Sequence, residues 1–453
     1  MMQRRDFLKA LSIGGGVAAF GGLGGVARLV QAVDTPALPD RYYIFCYFGG
    51  GWDILLGLDP KDPALYNAGN RSITKVEPGY DRLDFEGPAL VEPVPGMQLG
   101  PFIGDLADHA SKMTVVRGMS METLTHQTGR RRFLTGRPPA GIQARGSSTD
   151  AWLAARLGRE QPIPNLALKM ESYNKDHPSY AAALRTNSVE DLVRALNPGL
   201  PELGAQQQQQ LDELLRVVAA CPRSQRSELW QLAEASRIDA AEVVASGLGD
   251  RFRFQGSGEG MAALRQHYGI PASGRLESSA SAAAVAATAI KNGVSRCVSV
   301  QITSGLDTHF SNWETDQGER CQEGFDAVAR LVEDLGTSPY KDTTDTWLDH
   351  TVIIGFSEFS RSPLLNTNGG RDHWLMNACF LLGGNIKGGQ VIGASSEVGM
   401  NPQPVHLETG ALTSIADGGE VVRPEHVLQA LYEEVGITEE PDLRVSPLTA
   451  LFA

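Results

Sequence analysis

The chain has 453 residues, with 53 acidic against 40 basic side chains and a formal net charge of −13, which opposes binding to nucleic acid or to an anionic lipid surface. Its length is ample for a full core, and beyond the first thirty-odd residues no segment is long and apolar enough to span a bilayer. Five cysteines (Cys46, Cys221, Cys297, Cys321 and Cys379), scattered without CxxC or CxxH spacing, exclude a disulfide scaffold.

The start of the chain, Gln3-Arg4-Arg5-Asp6-Phe7-Leu8-Lys9, is a twin-arginine motif. A weakly apolar, Gly-rich stretch follows and ends near Val30-Gln31-Ala32. Residues 1–32 are therefore predicted to be a Tat export signal, cut near Ala32. The Tat translocon is the expected partner during export, and the expected destination is the periplasm or the medium. Contact with a membrane is expected only through an uncleaved leader. The Tat route carries chains that are already folded, often around a metal or cofactor.

Past the leader, Tyr42 to Phe48 (YYIFCYF) reads as a strand ending in Gly49-Gly50-Gly51. Met113 to Arg117 and Leu166 to Met170 are the next strands. A helix over Ser278 to Asn292 precedes a strand over Cys297 to Thr303, and a helix over Gln322 to Leu335 precedes a strand over Thr351 to Phe356. Phe380 to Leu382 and Gln390 to Ile392, joined by GGNIKGG, read as a hairpin-like or edge pair. Glu425 to Val435 reads as a C-terminal helix. Strands apolar on both faces, alternating with amphipathic helices, predict an α/β fold with a mostly parallel sheet sandwiched by helices. Cys46, Cys297 and Cys379 fall in strand runs and read as buried small residues. Residues 188–267 are rich in Gln, Leu, Ala and Glu with helical spacing, which predicts a helical insertion into an α/β body made of 33–187 and 268–453.

In open α/β sheets ligands sit beyond the carboxyl ends of the strands, so the residues after each strand carry the chemistry. They are Trp52-Asp53, then Thr125-His126, then Asp307-Thr308-His309, then Ser357-Glu358-Phe359-Ser360-Arg361, and a little later Arg371-Asp372-His373. Asp307 and His309 lie two apart and point the same way on an extended segment. Gathered without a cation, Asp53, Asp307, Glu358 and Asp372 would repel one another. A divalent ion, zinc or manganese, resolves that conflict, and two ions about 4 Å apart could clamp a displacement at phosphorus or sulfur. Glu358 could instead hold Arg361 in a structural pair. Arg130, Arg131 and Arg132 could bind an anionic group or form a solvated helix face.

The stretches GGGWD, THQTGRRRFLTG, GLDTH, SEFSRSP, GGRDHW and GGNIKGGQVIG, in this order and with the leader, resemble an exported bacterial family known only as domain of unknown function 1501. That family is similar to a distant branch of the alkaline phosphatase and sulfatase superfamily. Leu306, Ser360, Ser362 and Trp374 depart from its usual pattern without removing a ligand. The resemblance implies an alkaline phosphatase-like body and metal ligands at Asp53, Asp307, His309, Glu358, Asp372 and His373. It also implies a nucleophile at a helix N-terminus after the second strand, where Thr125 is best placed and Ser120 and Thr123 are rivals. No Cys-x-Pro-x-Arg signature is present, which disfavours a formylglycine sulfatase. His126 would ligate or relay a proton, and Arg130 or Arg361 would neutralise the oxygens of a small anionic ester. The expected function is an exported metal-dependent hydrolase of phosphate or sulfate esters. The alternative is a non-catalytic, metal-containing binding or surface protein of the same fold.

Overall fold

The structure is a computed structural model that describes residues 38–452 apart from 198–203, 228, 229, 232, 236, 239–242, 244, 245, 439 and 440. The leader predicted over 1–32 lies outside the described residues. No helix among the described residues is long and apolar enough to cross a membrane.

Eight strands form the main sheet: β1 (Tyr42–Phe48), β2 (Met113–Ser120), β3 (Asn165–Leu168), β4 (Leu184–Thr186), β5 (Cys297–Thr303), β6 (Thr351–Phe356), β7 (Met376–Leu382) and β8 (Gln390–Ile392). Their spatial order is β8-β2-β7-β6-β1-β5-β3-β4. All neighbours are parallel except β7, which runs antiparallel to both β2 and β6. The fold is thus α/β with a mostly parallel sheet. The principal helices are α1 (His126–Thr135), α2 (Thr149–Leu157), α3 (Val189–Leu196), α4 (Ala205–Ala220), α5 (Met261–Tyr268), α6 (Ser279–Lys291), α7 (Gly318–Thr337) and α8 (Pro424–Glu434).

The unbroken apolar run of β1 follows from burial on both sides. Tyr42, Ile44, Cys46 and Phe48 enter one core, with residues of α6 and α7. Tyr43, Phe45 and Tyr47 enter the other, with residues of α1, α2 and α8. Alternation of side chains along a strand produces this division. The alanines of α6 keep that helix thin enough to lie against β5, and Ser278 caps it by accepting from the Ser281 amide. Phe48 sits among Trp52, Phe325 and Phe380 with ring centroids 4.9 to 6.3 Å away, so truncating it to alanine would cost about 3–5 kcal/mol. Cys46, Cys297 and Cys379 are buried in β1, β5 and β7, and burial pushes the Cys46 thiol up to about 12.

The hairpin expected from Phe380 to Ile392 does not form. β7 and β8 lie on opposite sides of β2, one antiparallel and one parallel to it. The GGNIKGG link passes the start of β2, where the Gly389 amide donates to the Met113 carbonyl at 2.9 Å. A strand as buried as β2 needs hydrogen-bond partners along both edges, and the two segments supply one each. Between β4 and α6, residues 188–267 contribute α3, α4 and α5 and no strand among the described residues. Val189, Leu192 and Leu196 of α3 enter the same core as α6.

The pairings Phe48↔Thr303, Tyr47↔Phe356 and Met376↔Ser120 bring the ends of β1, β5, β6 and β2, and the start of β7, to one rim. The loops bearing Gly49 to Asp53, Leu124 to His126, Gly305 to His309, Ser357 to Arg361 and Asp372-His373 therefore meet there.

Candidate metal centre

Two glycines allow the loops to close on one another. Gly50 has φ +118°, and a Cβ there would fall 2.7 Å from the Asp307 amide nitrogen. Its own N–H donates to Glu358 Oε1 at 3.0 Å. Gly129, in the second turn of α1, presses on the Glu358 backbone, where a Cβ would fall 2.2 Å from the carbonyl oxygen. That contact sets His126, the first residue of α1, beside the Glu358 carboxylate.

Three imidazoles surround one carboxylate oxygen. Asp307 Oδ1 lies 3.3 Å from His126 Nε2, 3.1 Å from His309 Nε2 and 3.4 Å from His373 Nε2. Each ring is held from behind through Nδ1. His126 Nδ1 is 2.7 Å from Glu358 Oε1, His309 Nδ1 is 3.0 Å from Asp372 Oδ1, and His373 Nδ1 is 2.6 Å from the Leu124 carbonyl. These partners only accept, so each Nδ1 carries the hydrogen and, in a neutral ring, each Nε2 presents a lone pair. Phe359, buried, floors the cluster with its ring centroid 4.8 Å from that of His126 and 4.2 Å from that of His373.

Lone pairs that converge in this way repel unless a cation or a shared proton lies among them. The donor atoms of His126, Asp307 and His373 all lie within 4.8 Å of one another. Imidazoles oriented from behind by carboxylate or carbonyl acceptors are the usual surroundings of a borderline divalent ion, so these residues fit one. Asp307 is half exposed, which leaves the cluster open on one side. Burial pushes the Asp307 carboxyl up, but the hydrogen bond and charge of Arg361 outweigh it and hold the group at about 2. Glu358 is also held low: burial opposes ionisation, and the hydrogen bond from His126 overrides it. The hydrogen bond to His309 lowers Asp372.

The structure departs from the sequence reading at several residues. Asp53 does not join the cluster. Its buried carboxylate accepts from the Leu55 amide at 3.1 Å and Trp313 Nε1 at 2.8 Å, and pairs with Arg371 Nε at 2.9 Å. Burial pushes the Asp53 pKa up and that of Arg371 down, and each charge partly offsets the effect on the other. Glu358 and Asp372 stand behind His126 and His309 rather than at the centre. Arg361 cannot grip a substrate, because its side chain is fully buried and all five N–H groups are used. They donate to the carbonyls of Gly51, Gly50 and Arg371, to His309 Nε2 at 3.3 Å and to Asp307 Oδ1 at 2.7 Å. Arg130 is also engaged, forked onto Glu171 at 3.1 Å through both Nε and Nη2. Thr125 is the exposed N-cap of α1, and its hydroxyl makes no capping bond.

Sequence reasoning assigned no role to three residues. Arg371, inside the GGRDHW stretch, neutralises Asp53 and ties the Asp372-His373 loop to the carbonyls of Glu77 and Pro78. Asn366 Nδ2 donates to Asp372 Oδ1 at 3.1 Å, and Phe359 supplies the floor. Arg371 alone had a usable signal, as a charged residue between glycines and two candidate ligands.

The family described as "Protein of unknown function (DUF1501)" matches residues 40–414. No curated protein matches the chain significantly. Among solved structures, a protein in the alkaline phosphatase superfamily from Vibrio parahaemolyticus is similar at 9% identity and a TM-score of 0.38, over 92% of this chain and 72% of that one. The PsFucS1 sulfatase from Pseudoalteromonas sp. is similar at 11% identity and a TM-score of 0.38, over 91% and 72%. The lipoteichoic acid synthase LtaP from Listeria monocytogenes is similar at 8% identity and a TM-score of 0.35, over 92% and 77%.

Proposed function

This chain belongs to the DUF1501 family, whose function is unknown, and from its site we propose that it is an exported metal-dependent hydrolase of phosphate or sulfate esters. The observation that carries the reading is the convergence of three imidazole Nε2 atoms on Asp307 Oδ1, at 3.1 to 3.4 Å, on a face open to solvent. His126, Asp307 and His373 would hold the ion, zinc or manganese, with His309 beside them. When bound, such an ion supplies Lewis-acid stabilisation to an ester oxygen.

The residues of the chain supply the rest. Arg361 fixes Asp307 and keeps a permanent positive charge under the site, which favours an anionic substrate. Phe359 closes the floor to water. Thr125 stands at the N-terminus of α1, where unpaired backbone amides stabilise negative charge, and its hydroxyl is the proposed nucleophile. Export rests on the twin arginines Arg4 and Arg5.

One observation favours a second reading, a metal-containing binding protein of the same fold. The Thr125 hydroxyl has no hydrogen-bond partner among the described residues, so no base touches it. Elemental analysis of the purified chain, followed by assays with p-nitrophenyl phosphate, its diester and p-nitrophenyl sulfate, separates the two. The hydrolase reading expects bound metal and turnover that Thr125→Ala abolishes. Metal without turnover supports the binding protein, and absence of metal overturns both. Arg4→Lys with Arg5→Lys should retain the chain in the cytoplasm.

A further inference from the structure

A cavity of about 740 Å³ opens at the C-terminal end of α1. It lies the length of that helix, about 15 Å, away from His126 and the metal centre. Arg137 follows α1, and Arg145 sits in the loop between α1 and α2. Trp152 comes from α2, Glu425 from the first turn of α8, and Arg444 from the C-terminal segment. That segment is packed onto the end of α1 through Leu443, since a Cβ on Gly136 would fall 2.7 Å from the leucine Cδ1.

The charges in the wall are unevenly used. Each carboxylate already has a donor. Glu425 Oε1 accepts from Arg132 Nη2 at 2.6 Å, Asp442 Oδ1 from the Arg444 amide at 2.8 Å, and Asp176 Oδ2 from the Ser147 amide at 2.9 Å. The guanidiniums of Arg137, Arg145 and Arg444 have neither ion pair nor hydrogen bond among the described residues. Arg145 and Arg444 are exposed, but Arg137 is half-buried. Three free cations gathered on one cavity repel one another until an anion lies between them. The chain carries a net charge of −13, so this gathering runs against its composition. A second observation is independent of the arginines. Glu425 is only 4% exposed, and its Oε2 has no partner among the described residues. A buried carboxylate oxygen in that state lacks a donor that something else must bring.

Guanidinium forks match the oxygens of a carboxylate, sulfate or phosphate. A bare inorganic anion would leave most of the space unfilled, because the volume falls in the range of sites for whole organic ligands (roughly 300–1,000 Å³). Trp152 is half-buried and stands edge-on to His177, ring centroids 4.0 Å apart, so it offers a fixed apolar surface for a ring. Glu425 Oε2 calls for a hydroxyl or N–H donor. Acid groups, hydroxyls and a ring face on one molecule describe an acidic sugar. We propose that this cavity binds an acidic oligosaccharide, with its acid groups on Arg137, Arg145 and Arg444 and a ring against Trp152. The site is separate from the metal centre and does not depend on the hydrolase reading.

The test is calorimetric titration of the purified chain with tetragalacturonate and with a chondroitin sulfate tetrasaccharide, against uncharged maltotetraose and citrate. At least one acidic tetrasaccharide should bind about tenfold or more tightly than either comparison compound. Preference between the two assigns the acid group as carboxylate or sulfate. Arg137→Met and Trp152→Ala should each weaken that binding about fivefold or more. Arg194→Met, at an exposed arginine outside the cavity, should leave it unchanged, and so should removal of metal by a chelator. Circular dichroism checks that each variant is folded, and if Trp152→Ala is not, the exposed Arg444→Met takes its place. No binding of either acidic compound, or equal affinity for maltotetraose or citrate, would overturn the proposal. Binding that disappears with the metal would assign the ligand to the metal centre and empty the cavity of its role.

Discussion

Nε2 of His309 lies 2.9 Å from Nε2 of His373, and each ring is backed by an acceptor at its other nitrogen. Two lone pairs at that distance require a positive charge between or beside them. Arg361 supplies part of it, donating to His309 Nε2 at 3.3 Å. The remaining open donors are those of His126, Asp307 and His373. Asp53, which could have served a second ion, is neutralised by Arg371. One divalent ion per chain is the expected stoichiometry, read by elemental analysis. His373→Ala should leave the chain folded by circular dichroism and without stoichiometric metal. Two ions per chain in the unaltered protein would refute the assignment of both arginines.

The acceptor behind His126 should tune metal affinity without touching the ion. Glu358 is buried and holds Nδ1 of that ring at 2.7 Å. Losing such a partner lowers metal affinity by about 10–100-fold in comparable sites. Glu358→Gln should therefore weaken zinc binding by roughly tenfold or more in a competition titration with a chelator. An unchanged constant would mean that His126 is not a ligand.

The Asp53–Arg371 pair is closed to solvent on both sides. Removing one partner leaves the other charge buried and unpaired, at about 3–5 kcal/mol. Arg371→Met should lower unfolding free energy in urea by that amount. Asp53→Asn combined with Arg371→Met should cost less than Arg371→Met alone. Additive losses would show that the two charges do not depend on each other.

Gly50 tests the close approach of two loops. Its φ of +118° and the 2.7 Å gap to the Asp307 nitrogen leave no room for a methyl group. Gly50→Ala should destabilise the fold by about 1–3 kcal/mol from backbone strain alone and displace Asp307. The expected readout is a lower thermal midpoint together with weaker zinc binding. Loss of stability with metal affinity intact would show that the glycine serves only the backbone.

Glu171 gives the chain an acid limb away from the metal centre. Burial pushes its carboxyl up, but hydrogen bonds from Arg131 and Arg130 pull it down to about 2 from 4.5. A folded value below the unfolded one means the stabilisation is complete above about pH 4.5 and is lost as pH falls toward 2. Because the side chain keeps about one-fifth of its surface in solvent, screening reduces it to roughly 1 kcal/mol. Urea unfolding should separate Glu171→Gln from the parent at pH 7 and bring the two together near pH 2.5. A constant difference across that window would contradict the ion pair.

All strands of the main sheet but β4, and the helices α6, α7 and α8, were legible because side-chain periodicity depends only on local backbone geometry, whereas β4, α1 and α2 were not read. The loops that carry Asp307, His309, Asp372 and His373 were legible for the same reason, since each follows or precedes a recognisable strand. Which of those side chains face one another is a different matter. Asp53 and Asp307 look alike in sequence, each a carboxylate in a Gly-rich loop after a strand. Arg371 reaches the first and Arg361 the second, and only the second keeps an exposed oxygen among imidazoles. Whether an arginine is free for a ligand or spent on backbone carbonyls depends on contacts between segments hundreds of residues apart, as Arg361 shows with Gly50 and Gly51. The sequence by itself determined the α/β alternation and the rim on which the polar residues gather. Tertiary packing alone decided which of them remain as ligands, because a charge buried on folding must take whatever partner the packing places beside it.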